Sequence, residues 1–235
     1  MKNAIVVIAI GIPEIIETTL VSFEAYAKKT KSDLIIIDKP IYNIVGTFKY
    51  NYMRFEKNQI YNVLSDYDRV LRLDADIVIN PATPNLFLFD KKNIYGVKED
   101  INYLRSIHTK IEIKKIQKDL GDINGWKDTY YNGGVILASK KHREIFNISD
   151  IDFSLDLGLL KEQNVFNWRA RKLKFHIEDL GPNFNFYGGM NPSNFYLDSS
   201  RRQAYFIHHT VQGWAKKQAG LTKDIEHFFS KNDLI

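Results

Sequence analysis

The sequence predicts an α/β fold whose first half is Rossmann-like and parallel, and three observations carry that expectation. Apolar runs of strand length at residues 4–10, 34–37 and 70–79 alternate with segments of helical period. Those runs are nearly continuous in Ile, Val, Leu and Ala, the pattern of strands buried on both faces. The 235 residues, 44% of them hydrophobic, suffice for one sizeable core.

Each element follows in order. The strand at 4–10 stops at Gly11, and Pro13 opens a helix on which Ile16, Leu20, Phe23 and Ala27 recur on one face. The second strand, 34–37, ends at Asp38, and residues 50–64 place Met53, Ile60 and Leu64 on one helical face. The third strand, 70–79, follows Asp66-Tyr67-Asp68. Beyond Pro81 and Pro84 come a short strand at 94–97, a surface helix over 101–118, and Asn132-Gly133-Gly134 leading into a strand at 135–137. A helix over 153–168 and a strand at 204–207 running into His208-His209 complete the chain. No repeat, low-complexity tract or linker divides it, so one domain over 1–235 is expected, with halves at 1–90 and 91–235.

Composition removes several function classes. Lys and Arg total 33 against 28 Asp and Glu, a net charge of +5, which does not point to nucleic acid. The absence of cysteine excludes disulfides, thiolate zinc sites and thiol catalysis. The run at 4–10 is too short for a signal peptide or membrane span. A soluble cytoplasmic protein is therefore expected, with peripheral membrane association left open.

The chemistry concentrates at Asp74 and Asp76, one residue apart inside an apolar strand. Burying unpaired carboxylates is so costly that such a pair implies a compensating cation. Strand alternation points both to one side, where they can share a hard divalent ion that keeps positions open for a diphosphate. The bland alternative is a pair of strand-end aspartates capping a turn. His208 and His209, either of which can add an imidazole ligand, favour the metal; otherwise one packs in the strand and the other is solvated. Gly213 and Lys216 offer a backbone N–H and an ammonium for phosphate oxygens, and Arg54 and Lys57, one turn apart, can face the same site. The basic run from Arg169 to Lys174 reads as a solvated face, with an anionic acceptor or membrane surface as the alternative. Aromatic and asparagine residues at 183–189 and 194–196 suit sugar stacking or a packed loop.

Taken together, Tyr52-x-Arg54, Asp74-Ala75-Asp76, Asn132-Gly133-Gly134, Glu162-Gln163-Asn164 and His208-His209 with Gly213-x-x-Lys216 resemble a GT-A glycosyltransferase of family eight, the glycogenin and lipopolysaccharide galactosyltransferase type. The compact chain is also similar to small viral GT-A glycosyltransferases. The resemblance spans most of the sequence. It implies a single-domain GT-A fold with a Rossmann-like, mixed and mostly parallel sheet flanked by helices. It implies a nucleotide-binding half at 1–90 and an acceptor-side half at 91–235. The implied activity is metal-dependent transfer of a sugar from a nucleotide sugar, UDP-linked first, to a glycan or glycoprotein acceptor. The implied metal is Mn²⁺, with Mg²⁺ as the alternative, held by Asp74, Asp76 and a late histidine.

Further roles are implied residue by residue. Ala9, Gly11, Arg54, Ala75, Asn132, Gly133 and Gly213 belong to the donor site, Glu162 and Gln163 line the sugar and acceptor side, and Lys216 contacts the departing diphosphate. Thr210 stands where the family spacing places its ligand, so His208 and His209 both remain candidates, His208 preferred. Gly11-Ile12-Pro13 replaces the tyrosine that often stacks on the base, which makes Asp38 the expected base contact. If the reaction inverts, Glu162 is the expected base, with Asp179 behind it. Two other classes compete. In a haloacid-dehalogenase-like phosphohydrolase the aspartate pair lies in the first strand and precedes Gly-Thr, and a non-catalytic sugar-binding module would need none of these polar groups.

Overall fold

The computed structural model describes residues 1–42, 44, 53–99, 102–189, 195–210 and 213–229. Its centre is a six-stranded sheet in the order β2-β1-β3-β6-β5-β7, formed by β1 (Asn3–Ile8), β2 (Asp33–Ile37), β3 (Arg69–Asp74), β5 (Ile94–Lys98), β6 (Tyr131–Ser139) and β7 (Ile177–Asp179). Five strands run the same way and β6 runs against its neighbours β3 and β5. A second, antiparallel pair joins β4 (Ile77–Ile79) to β8 (Phe206–His208). The helices are α1 (Pro13–Thr30), α2 (Ile60–Asp66), α3 (Tyr103–Leu120), α4 (Glu162–Lys172), the single turn α5 (Asp198–Arg201) and α6 (Trp214–Phe228).

This is the expected α/β architecture with a mixed, mostly parallel sheet. Alternate residues of β1 and β3 feed two cores: Ile5, Val7, Leu71 and Leu73 face one side, and Ala4, Val6 and Val70 face the other. A third cluster, around Phe55, Ile113, Trp126 and Trp168, packs α3 and α4 together. Pro13 opens α1, with Glu14 in its first turn and Lys28 and Lys29 in its last, each charge complementing the helix dipole.

Four elements depart from the sequence reading. The run 70–79 is two strands, because the chain turns at Ala75-Asp76 and β4 leaves to pair with β8. Asn132, Gly133 and Gly134 lie inside β6 rather than before it. The helix expected at 153–168 starts only at Glu162, since Leu157, Gly158 and Lys161 all adopt positive φ, which a right-handed helix forbids. Buried Glu112 on α3 accepts from the Leu159 and Leu160 N–H groups and holds that irregular loop. Residues 53–59 form a 3₁₀ stretch before α2, and the start of the helix expected at 50 falls outside the described residues, as does Ile101.

Candidate metal and donor site

Sheet register gathers the polar residues at one edge. Asp74, the last residue of β3, pairs in register with Ile8 at the end of β1. Because β6 is antiparallel, its beginning lies at that same edge, with Val135 opposite Leu73. The β4–β8 pair sets His208 opposite Ile77, and the His209 N–H donates to the Asp76 carbonyl at 2.9 Å. Ligand atoms of Asp74, Asp76 and His208 all come within 4.8 Å of one another. His208 Nε2 is 3.1 Å from Asp76 Oδ1 and 3.6 Å from Asp74 Oδ2. The aspartates converge through the Ala75-Asp76 turn, not through strand alternation. The Thr19 hydroxyl, buried on α1, fixes that turn by donating to the Ala75 carbonyl at 2.9 Å.

A chain of hydrogen bonds orients the imidazole. The Gly134 N–H donates to Asn132 Oδ1 at 2.7 Å, so that oxygen is an acceptor. Asn185 Nδ2 donates to the same oxygen at 2.8 Å, which turns Asn185 Oδ1 toward His208 Nδ1, also at 2.8 Å. Nδ1 must then carry the hydrogen, and in the neutral ring the Nε2 lone pair faces two carboxylates. A metal ion between the three groups would relieve that repulsion. The donor set of two carboxylates and one imidazole, with its second nitrogen held by an amide, fits a divalent metal such as Mn²⁺.

Two lysines supply the remaining positive charge. Lys57 Nζ lies 2.6 Å from Asp74 Oδ1, and Lys217 Nζ lies 2.6 Å from Asp76 Oδ2. Burial opposes ionisation of Asp76, but His208 and Lys217 outweigh it and hold the carboxyl well below the usual carboxylate range. Behind Asp74, fully buried Arg72 donates to the Gly133 carbonyl and lies 3.6 Å from Glu162 Oε1. Burial pushes the Glu162 carboxyl up, against the pull of Lys57 and Arg72.

The paired glycines make room for these side chains. A methyl on Gly133 would stand 2.8 Å from Glu162 Oε1, and one on Gly134 would stand 2.7 Å from His208 Cε1. The Gly133 N–H donates to Gln163 Oε1 at 2.7 Å, tying the first turn of α4 to β6. Asn132 Nδ2 donates to Glu99 Oε2 at 3.1 Å, and buried Glu99 is paired with Arg105, which also donates to the Tyr187 hydroxyl.

In front of the aspartates opens a cleft of about 210 Å³. Ile8, Ile10, Ile12 and Ile15 form an apolar wall, and Met53, Arg54, Lys57, Asp74, Ala75, Asp76, Trp214 and Lys217 complete the lining. Thus the structure brings together Arg54, Asp74, Ala75, Asp76 and His208, with Asn132, Gly133, Glu162 and Gln163 immediately behind. Tyr52 and Asn194 lie outside the described residues.

Other expected residues stand elsewhere. His209 Nε2 bonds Asp224 Oδ2 at 3.0 Å in a buried network with Arg201, on the side away from the aspartates. Lys216 and Gly213 are exposed at the start of α6, and Lys217 is the lysine that reaches Asp76. Ala9 is buried, its N–H donating to the Ile37 carbonyl, while Gly11 and Asp38 are exposed beyond β1 and β2. Asp179 accepts from the Lys98 and Gly181 N–H groups at the far edge strand β7. The basic run is the expected solvated face at Lys172 and Lys174, which are exposed, whereas Arg169 is buried and pairs with Asp150; Arg171, half-buried, and Lys172 lie over Trp126 and Trp168. Phe184, Tyr187 and Phe195 are buried, so that aromatic segment is mostly loop core. Sequence reading missed Arg72, inside β3, Glu99, just past β5, and Arg105, on α3, which no local sequence pattern marks.

No protein-family model and no curated protein sequence matches this chain. Solved structures do. A glycosyltransferase involved in glycosylation of the major capsid of PBCV-1 aligns with a TM-score of 0.62 at 13% identity, over 95% of this chain and 100% of that one. Galactosyltransferase LgtC, in complex with donor and acceptor sugar analogs, aligns with a TM-score of 0.59 at 14% identity, over 98% and 97%. Mouse xyloside xylosyltransferase 1 aligns with a TM-score of 0.50 at 13% identity, over 87% and 93%. Among the described residues no helix is long and apolar enough to cross a membrane. At these identities the likeness is one of fold, and the fold of this chain is the GT-A, Rossmann-like fold that those glycosyltransferases share.

Proposed function

We propose that this protein is a metal-dependent glycosyltransferase that moves a sugar from a nucleoside-diphosphate sugar, UDP-linked, to a glycan or protein-linked acceptor. The observation that carries the reading is the convergence of Asp74, Asp76 and His208 beside a cleft at the carboxyl ends of β1 and β3, where open α/β sheets bind nucleotides. The imidazole in the set favours Mn²⁺ over Mg²⁺. When bound, such a metal neutralises charge that grows on the diphosphate as the sugar bond breaks.

The chain's own groups do the rest. The isoleucine wall and Trp214 offer apolar surface for the base, and Gly11 and Asp38 lie beyond the same strand ends for contacts at its rim. Arg54 and Lys57 face the donor's phosphates, and Lys217, or Lys216 one residue before it, meets the departing diphosphate. Gly213, at the head of α6, offers its N–H to the same group. Asn132 and Gln163 orient the sugar from β6 and α4. If transfer inverts the sugar's configuration, Glu162, buried and raised in pKa, takes the proton of the acceptor hydroxyl. On this reading residues 1–90 hold the donor and 91–235 shape the acceptor side.

The test is calorimetric titration of UDP- and GDP-linked sugars with Mn²⁺ and again with chelator, on wild type and Asp76→Asn. Binding of one donor that needs both Mn²⁺ and Asp76 is the expected result. Donor binding that persists in chelator, or in Asp76→Asn, overturns the metal assignment; binding of no donor overturns the transferase reading.

A further inference from the structure

A second cavity, of about 310 Å³, opens at the opposite edge of the sheet, beneath the start of β3 and the end of β6. Arg69 and Asp74 are the first and last residues of β3, so some 17 Å of strand, at about 3.3 Å per residue, separates this cavity from the metal cluster. Its lining is basic: Arg69, Lys91, Lys92, Lys140 and Lys141, against the single carboxylate of Asp68. Asp68 accepts from the Lys2 N–H, and the nearby Asp90 accepts from the Lys92 N–H.

Arg69 is the anomaly. Its side chain is 1% exposed, and Nη1 donates to the Phe87 and Phe89 carbonyls at 2.8 and 2.7 Å. Nε and Nη2 are buried and make no hydrogen bond. Among the described residues no carboxylate lies within ion-pair distance of Arg69 or of the four lysines; Lys140 donates to the Ser65 carbonyl at 2.6 Å. A desolvated guanidinium with two idle N–H donors is costly unless an anion nearby balances its charge. Burial lowers the Arg69 pKa, against the weaker pull of Tyr95 and Asp90. The backbone around the cavity is fixed, since buried His142 accepts from the Ser139 N–H and the Ser139 hydroxyl donates to the Lys91 carbonyl.

We propose that this cavity is a second anion site, which takes a phosphate or diphosphate group among its four lysines, with the buried Arg69 guanidinium adding its positive charge from within the wall. The same chemistry is presented by a free phosphate compound and by the headgroup of an acidic phospholipid. The site is independent of the metal cluster, so it is assayed with the metal removed.

Inorganic diphosphate is titrated calorimetrically into the protein in chelator at fixed ionic strength, comparing wild type with Lys91→Glu/Lys141→Glu. Co-sedimentation with phosphatidylcholine vesicles, with and without phosphatidic acid, is run on both proteins. Both substitutions sit on exposed side chains, and circular dichroism checks that the fold is kept. Diphosphate affinity weakened roughly tenfold or more by charge reversal supports the site with a free ligand. Vesicle binding that needs phosphatidic acid and is lost in the variant, with no diphosphate binding, supports it with a lipid headgroup. Diphosphate and vesicle behaviour that is the same in both proteins overturns the proposal.

Discussion

Replacing Gly134 by alanine tests the metal cluster without touching a ligand. Gly134 lies in β6 with no positive φ, so its backbone accepts alanine, and the effect is confined to one added methyl. That methyl would stand 2.7 Å from His208 Cε1, 2.9 Å from Nδ1 and 3.0 Å from Asn132 Oδ1. Carbon atoms rest at about 3.5 Å or more, so the ring must retreat by roughly 0.8 Å. Retreat is resisted, because His208 is buried and Tyr187 lies with its ring centroid 6.0 Å away. Overpacking of this kind costs about 1–3 kcal/mol. It also breaks the Asn185–His208 bond that orients the ring, a loss that typically weakens metal binding ~10- to 100-fold. Mn²⁺ titration by calorimetry or electron paramagnetic resonance measures it, with circular dichroism to confirm folding. Gly213→Ala is the companion, since a methyl there meets nothing within 4 Å and Mn²⁺ affinity should hold. A folded Gly134→Ala protein with unaltered Mn²⁺ affinity would refute His208 as a ligand.

Three further outcomes are expected. Lys217→Met frees Asp76 of its competing cation and should tighten Mn²⁺ binding in the absence of donor, whereas Lys216→Met should leave it unchanged; parallel titrations compare them. Asp224→Asn removes the buried carboxylate shared by Arg201 and His209, leaving Arg201, among the described residues, only Asp198 as an ion-pair partner, and urea unfolding should show a loss of about 1.5–3 kcal/mol. Burial lowers the His142 pKa from 6.5 to about 4, with Lys141 adding to it. Between those values the unfolded chain binds a proton that the folded chain refuses, so stability falls as pH drops through that window. Unfolding measured at pH 7 and pH 4 should differ by about 2 kcal/mol more in wild type than in His142→Gln, after allowance for solvent screening.

The strands of the first 90 residues were legible because β1 and β2 are runs of apolar residues and β3 holds Val70, Leu71 and Leu73 in such a run. The break at Ala75-Asp76 was not, because the residues after it remain apolar and only tertiary pairing with β8 draws them out of the first sheet. Leu155, Leu157, Leu159 and Leu160 imitate a helical stripe, and the turn at Gly158 that defeats it depends on Glu112, far off in sequence. The histidine pair could not be split by composition: His208 ends β8 and reaches the aspartates, while His209, just past the strand, bonds Asp224. Gly133-Gly134 was noticeable as a place of close approach, yet what approaches is the protein's own Glu162 and His208. Glu99 and Arg105 carry no local pattern, and their pairing appears only when β5, α3 and β6 are assembled.

The pairing of Ile77 with His208 has a kinetic meaning as well as a geometric one. More than half the chain must be threaded before the third ligand reaches the first two, and contacts so distant in sequence close late and slowly. Fragments that end before β8 carry both aspartates with no histidine to complete them. On the proposed site, metal affinity is therefore expected only once β8 has joined β4, so that metal binding would report the closure of that pair.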